Sequence, residues 1–185
     1  METLEAIHKR ASLKLHLSPR QVEQEKIDKV LSAARVAPSA RNRQPWRFIV
    51  VKDKKLIETL VNSAFSEVNR VARDAPIIIV ACANPQDDMV SNGKEYYMFD
   101  LGLAVENMVL AATDMGLATH IMAGIDEDEI KKTLSVPQEV RCPVVVLLAH
   151  TAEESYDEAA KTKLTERTRK NLSEFVYIDK WMKTG

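Results

Sequence analysis

Three stretches of this 185-residue chain concentrate side chains able to do chemistry. The first, Arg10-Ala11-Ser12-Leu13-Lys14, sets two cations about a hydroxyl, a donor set that suits a phosphate and equally makes a solvated basic face. The second, Ala37-Pro38-Ser39-Ala40-Arg41-Asn42-Arg43-Gln44-Pro45-Trp46, lies between two prolines that fix φ. Ser39 and Asn42 can bond nearby backbone, so turn chemistry explains much of it, yet it is donor-rich for a mere connection. The third, Arg167-Thr168-Arg169-Lys170-Asn171-Leu172, is again a basic patch. The sequence contains no G-x-S-x-G, no Walker loop, no G-x-G-x-x-G and no carboxylate pair at a revealing spacing.

Other reactive side chains read as structural. Cys82 and Cys142 sit in the apolar runs IIIVACA and CPVVVLLA, as buried reduced thiols do. His8, His16, His120 and His150 show no metal-ligand spacing, so no metal is expected. Lys and Arg total 26 against 27 Asp and Glu, without the basic excess of a nucleic-acid binder. Aromatics are 5%, too few for a base-stacking platform. Hydrophobic residues are 45% and charged residues 29%, as in a globular protein. No apolar run approaches the roughly 18 residues of a membrane span. The first residues, METLEAIHKRAS, carry no signal-peptide core, so a cytoplasmic protein is expected.

The elements that must position these residues follow from periodicity. Residues 2–9 suit a short helix. Ser18-Pro19-Arg20-Gln21 reads as the start of a second, whose stripe is Val22, Ile27, Val30, Leu31 and Ala34 and which Pro38 ends. Trp46 to Val51 predicts a strand, Leu56 to Phe65 and Glu67 to Asp74 helices, and Ile77 to Ala83 a central strand. Between Lys94 and Gly116, the spacing of Met98, Leu101, Val105, Met108, Ala112 and Met115 predicts a long helix with one buried seam. Thr119 to Met122 and Val144 to Ala149 predict strands, and Asp126 with Glu129 opens a short helix. This order predicts one α+β domain. From Thr151 onward the chain is polar, with Leu172, Phe175, Val176, Ile178 and Trp181 as a late apolar cluster that must dock on something.

Taken together, the segments resemble the FMN-dependent nitroreductases. Ala37-Pro38-Ser39-Ala40-x-Asn42-x-Gln44-Pro45-Trp46-x-Phe48 is close to that family's most recognisable stretch. Arg10-x-Ser12-x-Lys14 is similar to its N-terminal phosphate motif, Gly116-Leu117-Ala118-Thr119 with Ala123-Gly124 to its Gly-Leu-Gly-Thr…Gly-Gly segment, and Arg169-Lys170-x-Leu172-Ser173-Glu174-Phe175-Val176 to its C-terminal segment. Ala11, Ala118 and Ala123 depart from the family's usual residues.

The resemblance implies a central, mostly antiparallel sheet flanked by helices, and a homodimer with FMN at the subunit interface and the 151–185 tail docked on the partner subunit. Arg10, Ser12 and Lys14, with Arg169 or Lys170, would neutralise the FMN phosphate. Pro38, Ser39, Ala40 and Asn42 would line the ring and ribityl chain, Asn69 would bond the ring, and Ala123 and Gly124 would present amides to its N5–O4 edge. NADH or NADPH would reduce the flavin, and a nitroaromatic, quinone or similar small acceptor would reoxidise it by a ping-pong route. No side chain need act as a dedicated acid or base. Two other outcomes of the same resemblance are another flavin reaction, such as reductive dehalogenation or flavin destruction, and a non-enzymatic flavin-binding module. The only candidate lid is the short polar stretch from Asn84 to Gly93.

Overall fold

The computed structural model describes residues 2–181, the side chains of Ala160, Lys163 and Thr165 excepted. In chain order the helices are α1 (Thr3–Lys9), α2 (Gln24–Arg35), α3 (Lys54–Ser63), α4 (Tyr97–Asp114), α5 (Glu127–Leu134) and α6 (Glu158–Thr165). The strands are β1 (Leu17–Ser18), β2 (Trp46–Val51), β3 (Ile77–Ala83), β4 (Val90–Ser91), β5 (Lys94–Glu95), β6 (Leu117–Met122) and β7 (Arg141–Thr151). The chain forms two compact units divided after Glu153.

The first unit is built around β7. One of its edges pairs antiparallel with β6, from Leu117↔His150 to Met122↔Val145. The other pairs antiparallel with β3, from Ile77↔Leu148 to Ala83↔Arg141, with a register shift between Ala81 and Ala83. His150 also pairs with Ser18, so β1 prolongs the edge that β3 occupies. β2 then adds to β3, Trp46↔Ala83 through Val51↔Ile78. β6 keeps an outer edge, where Ser12 forms a parallel bridge to Thr119.

Side chains alternate across this sheet and bury both faces. Ile77, Ile79, Ala81, Val146 and Leu148 pack with α2 and α4, through Ile27, Val30 and Ala34 and through Leu101, Val105, Met108 and Ala112. Ile78, Val80, Cys82, Val145 and Leu147 pack on the opposite face with Ile57, Leu60 and Val61 of α3 and Ile130 of α5. Two buried faces explain why β3 reads as an unbroken apolar run. The fold is α+β with an antiparallel sheet between helical layers, as expected.

Several local expectations are corrected. Ser18 does not open α2: it pairs with β7, and the helix starts at Gln24 after Glu23. The local Ser-Pro signature loses to a sheet pairing supplied by residues far away in sequence. Glu67–Asp74 is helical as expected, in the tighter 3₁₀ form. Met98 leaves the α4 seam and is 53% exposed, because Tyr97, one turn before Leu101, takes the inward position at 4%. By contrast Asp53 and Asp126 cap α3 and α5 as oxygen acceptors for first-turn N–H groups.

The second unit carries α6 and a short 3₁₀ turn, Leu172–Glu174, closed by a reciprocal Asn171–Glu174 capping box. Tyr177 and Trp181 stack with ring centroids 4.6 Å apart.

Candidate functional site

The basic N-terminal segment is held in place by the sheet. Leu13 N–H donates to Thr119 O at 2.8 Å, and Ser12 bridges Thr119, so residues 10–14 lie along the outer edge of β6. Arg10 caps the C-terminus of α1 just before this bridge, and Lys14 follows it. Ser12 is exposed; Arg10 is half-buried and stands 3.9 Å from Glu106 of α4. Lys14 acts on His120, the neighbour of Thr119 on β6. Burial first, and then this cation, depresses the His120 imidazole, and its Nδ1 is buried without a partner. His120 read only as a scattered histidine in the sequence; its nearness to Lys14 arises from the edge pairing.

The Pro38 to Gln44 loop leaves α2 and enters β2 in a tight, partly left-handed path. Arg41, Asn42 and Gln44 have φ of 52°, 57° and 51°, and none is glycine. The loop holds itself through Ser39: its Oγ accepts the Gln44 N–H at 3.0 Å and its carbonyl oxygen accepts the Asn42 N–H at 2.9 Å. It is tied to α4 by the Ala40 N–H, which donates to Asp100 Oδ2 at 2.6 Å. Pro38 and Asn42 are exposed, Ser39 and Ala40 half-buried. Asp100, which the sequence did not single out, is therefore part of this site's support.

The third part is the loop after β6. The Gly124 carbonyl oxygen accepts from Ser66 N–H at 2.9 Å and from Asn69 Nδ2 at 3.0 Å. A Cβ on Gly124 would stand 2.7 Å from Ser66 Oγ and 3.1 Å from Asn69 Nδ2, so only glycine fits without a shift. Ala123 and Gly124 are exposed, and among the described residues neither amide donates a backbone hydrogen bond. They line an open hollow of about 370 Å³ with Phe65, Ser66, Ile125 and Asp126. Asn69 is buried, 6% exposed, and its side-chain amide serves Gly124.

The structure thus joins Ser12 to β6, Asn69 to Gly124 and Ala40 to Asp100. Arg169 and Lys170 are exposed residues of the second unit, Arg169 donating to the Thr168 carbonyl at 2.7 Å. Among the described residues, no three His, Cys, Asp or Glu side chains could hold a metal ion, and no helix is long and apolar enough to cross a membrane. Arg10 and Lys14 on either side of Ser12, and the exposed loop amides of Ala123 and Gly124 at the glycine-tight hollow, are donors chemically suited to an anionic, hydrogen-bonding ligand.

Comparisons with known proteins agree with one another. Residues 7–75 and 68–150 match the Nitroreductase family. A curated relative from Archaeoglobus fulgidus, provisionally named an NADH dehydrogenase/NAD(P)H nitroreductase, is 32% identical over 157 residues, covering 83% of this chain and 87% of the relative. A nitroreductase family protein of Clostridium difficile 630 superposes with a TM-score of 0.84 at 31% identity, over 98% of this chain and 100% of that one. An FMN-dependent nitroreductase of Clostridium difficile R20291, at 23% identity, shares the fold with a TM-score of 0.76 over 96% of this chain and 99% of that one.

Proposed function

This chain belongs to the nitroreductase family, and from that membership we propose that it is an FMN-dependent NAD(P)H oxidoreductase acting on nitroaromatic, quinone or similar small acceptors. The observation that carries the proposal is the Ser66–Asn69–Gly124 cradle, where two donors converge on one carbonyl and leave the Ala123 and Gly124 amides facing out. When bound, FMN supplies the redox chemistry, accepting hydride from the nicotinamide and passing electrons to the acceptor. Donor and acceptor occupy the same pocket in turn, in a ping-pong cycle.

The chain's own residues bind and orient. Arg10, Ser12 and Lys14 hold the phosphate, each charge-assisted bond contributing about 1.5–3 kcal/mol. The Arg10–Glu106 pair at 3.9 Å is long and only partly shielded from solvent, so the guanidinium can also donate to a phosphate. Pro38, Ser39, Ala40 and Asn42 line the ring and ribityl chain. Ala123 and Gly124 offer amides where negative charge grows on reduction. Asn69 contributes by fixing Gly124, and Arg169 or Lys170 of the tail adds to the phosphate site.

The functional unit in this reading is a homodimer. Leu172 (71% exposed), Ile178 (80%) and Trp181 (81%), with Phe175 and Val176, are more apolar surface than a monomer's tail leaves in water. The test is the visible spectrum of the purified protein, followed by anaerobic addition of NADH and NADPH. Bound FMN bleached by either nicotinamide is the expected result. A protein that takes up no FMN on titration refutes the reading, and one whose bound flavin stays oxidised with both donors is a binding module instead.

A further inference from the structure

Two buried carboxyl groups stand behind the Pro38 to Gln44 loop. Asp100, in the first turn of α4, is 1% exposed, and Asp88, between β3 and β4, is 6% exposed. Asp100 Oδ2 accepts the Ala40 N–H at 2.6 Å. The Tyr96 N–H, one turn before Asp100, donates to the Met89 carbonyl oxygen at 3.0 Å, which brings the Asp88 segment against the start of α4, where Asp88 acts on the Asp100 carboxyl. Asp88 Oδ1 accepts the Met89 N–H at 2.7 Å, while Asp88 Oδ2 is buried without a donor. Two buried carboxylates that act on one another repel, and a buried oxygen that lacks a donor is costly. One proton between them cures both faults.

We propose that Asp88 and Asp100 share one proton, carried on Asp100, and that this pair is the latch that holds the Ser39–Gln44 loop in its left-handed path. The proton sits on the Asp100 oxygen other than Oδ2. That O–H donates to Asp88 Oδ2, and Oδ2 of Asp100 still accepts from Ala40. The conformation needs such support, because three residues of this loop without glycine's freedom, Arg41, Asn42 and Gln44, have φ above 50°. Asp88 and Asp100 are positioning residues that act through Ala40. The consequence for flavin rests on the function proposed above; the latch itself does not.

The electrostatics of the pocket agree. Burial raises the Asp100 carboxyl; the Ala40 N–H opposes this, and the charge and hydrogen bond of Asp88 add to it. The loop's own cations, Arg41 and Arg43, are exposed, and Arg47 of β2 turns to Asp87 at 3.5 Å. On α4, Tyr97 is a buried phenol and the half-buried Tyr96 gives its carbonyl oxygen to the Asp100 N–H. The raised carboxyl means that the latch is closed at low pH and opens as pH rises through the Asp100 titration.

The test compares full-length wild type, Asp100→Asn and Asp100→Ala across pH. One readout is hydrogen exchange of the Ala40 amide, corrected for its intrinsic rate; the other is FMN affinity. An asparagine at 100 donates to Asp88 and accepts from Ala40 without titrating, so it keeps protection and affinity within about threefold at every pH, whereas wild type loses both as pH rises. Asp100→Ala speeds Ala40 exchange and weakens FMN by about tenfold or more. Unchanged Ala40 exchange in Asp100→Ala, or Asp100→Asn behaving like Asp100→Ala, overturns the latch. Should Asp100→Ala not fold, identical pH dependences in wild type and Asp100→Asn overturn it. A failure of all three proteins to bind FMN refutes the flavin reading, and the exchange data still decide the latch.

Discussion

The side-chain amide of Asn69 donates to the carbonyl oxygen of Gly124 at 3.0 Å, across 55 residues of sequence. This bond ties the Glu67–Asp74 turn to the loop after β6, and Ser66 N–H adds a second donor to the same oxygen. The resemblance implied that Asn69 would bond a flavin ring; in the protein alone its Nδ2 fixes the glycine whose amide is assigned to that ring. Asn69→Ala is therefore expected to weaken FMN binding by about threefold to tenfold through Gly124, and to cost about 1–2 kcal/mol in urea denaturation. Equal stability in the two proteins would show that the bond has no structural weight.

Gly124→Ala forces a contact of 2.7 Å with Ser66 Oγ. The expected cost is about 1–3 kcal/mol. Because the offending atom is a hydroxyl, Ser66→Ala relieves it: its Cβ stands at 3.4 Å from the added methyl, an ordinary contact. A double-mutant cycle on urea midpoints should show strong non-additivity, the double variant being more stable than Gly124→Ala alone.

Arg10→Ala is expected to weaken FMN by about tenfold or more, and raised ionic strength should lower wild-type affinity more than that of the variant. Isothermal titration at two salt concentrations measures both. An unchanged affinity removes Arg10 from the phosphate site.

Glu127 gathers an ion cluster where α5 meets β7. It accepts from Arg141 Nε at 2.9 Å and from the Cys142 N–H at 2.8 Å, with Lys131 Nζ, only 6% exposed, at 3.3 Å. Arg141 first, with the Cys142 N–H and Lys131, holds the Glu127 carboxyl down at about 2 against burial. A depressed carboxyl stabilises the fold above its unfolded value and loses that contribution as pH falls through its folded one. Wild type should thus lose stability between about pH 4.5 and about 2. Glu127→Gln should be less stable at neutral pH by about 1–3 kcal/mol, with a flatter acid limb in thermal melts.

Cys82 Sγ and Cys142 Sγ lie 3.5 Å apart, each 1% exposed. The hydrogen bond with Cys142 and burial push the Cys82 thiol up. A thiol reagent should leave both untouched in the native protein and label both after denaturation. Rapid labelling of folded protein would contradict the packing described.

How much of this was legible in the chain depended on distance. β2 and β3 were readable to their end residues because a β-branched run between turn residues is a local property. The Pro38 to Trp46 loop was readable because its chemistry is consecutive. Ser18 misled because Leu17–Ser18 is claimed by Thr151 and His150, more than a hundred residues on. Asp88 and Asp100 were invisible: the first lies in a polar stretch and the second on a helix that reads as apolar. Only the folded segment between β3 and α4, through the Tyr96 N–H on the Met89 carbonyl oxygen, brings their stretches of chain together. Asn69 was found by resemblance, but its Gly124 partner needed the fold.

The central position of β7 has a consequence for biogenesis. β3, β6 and β1 all bond to residues 141–151, and none of these three joins the main sheet through any other strand save the β2–β3 pair. On a ribosome, the keystone of the sheet is thus the last of its strands to emerge. Until then the exposed chain can offer helices, the β2–β3 pair and the short β4–β5 hairpin, with the buried apolar runs of β3 and β6 unsheathed. Nascent chains stalled before Arg141 should be aggregation-prone clients of chaperones, and release of β7 should trigger a single late collapse.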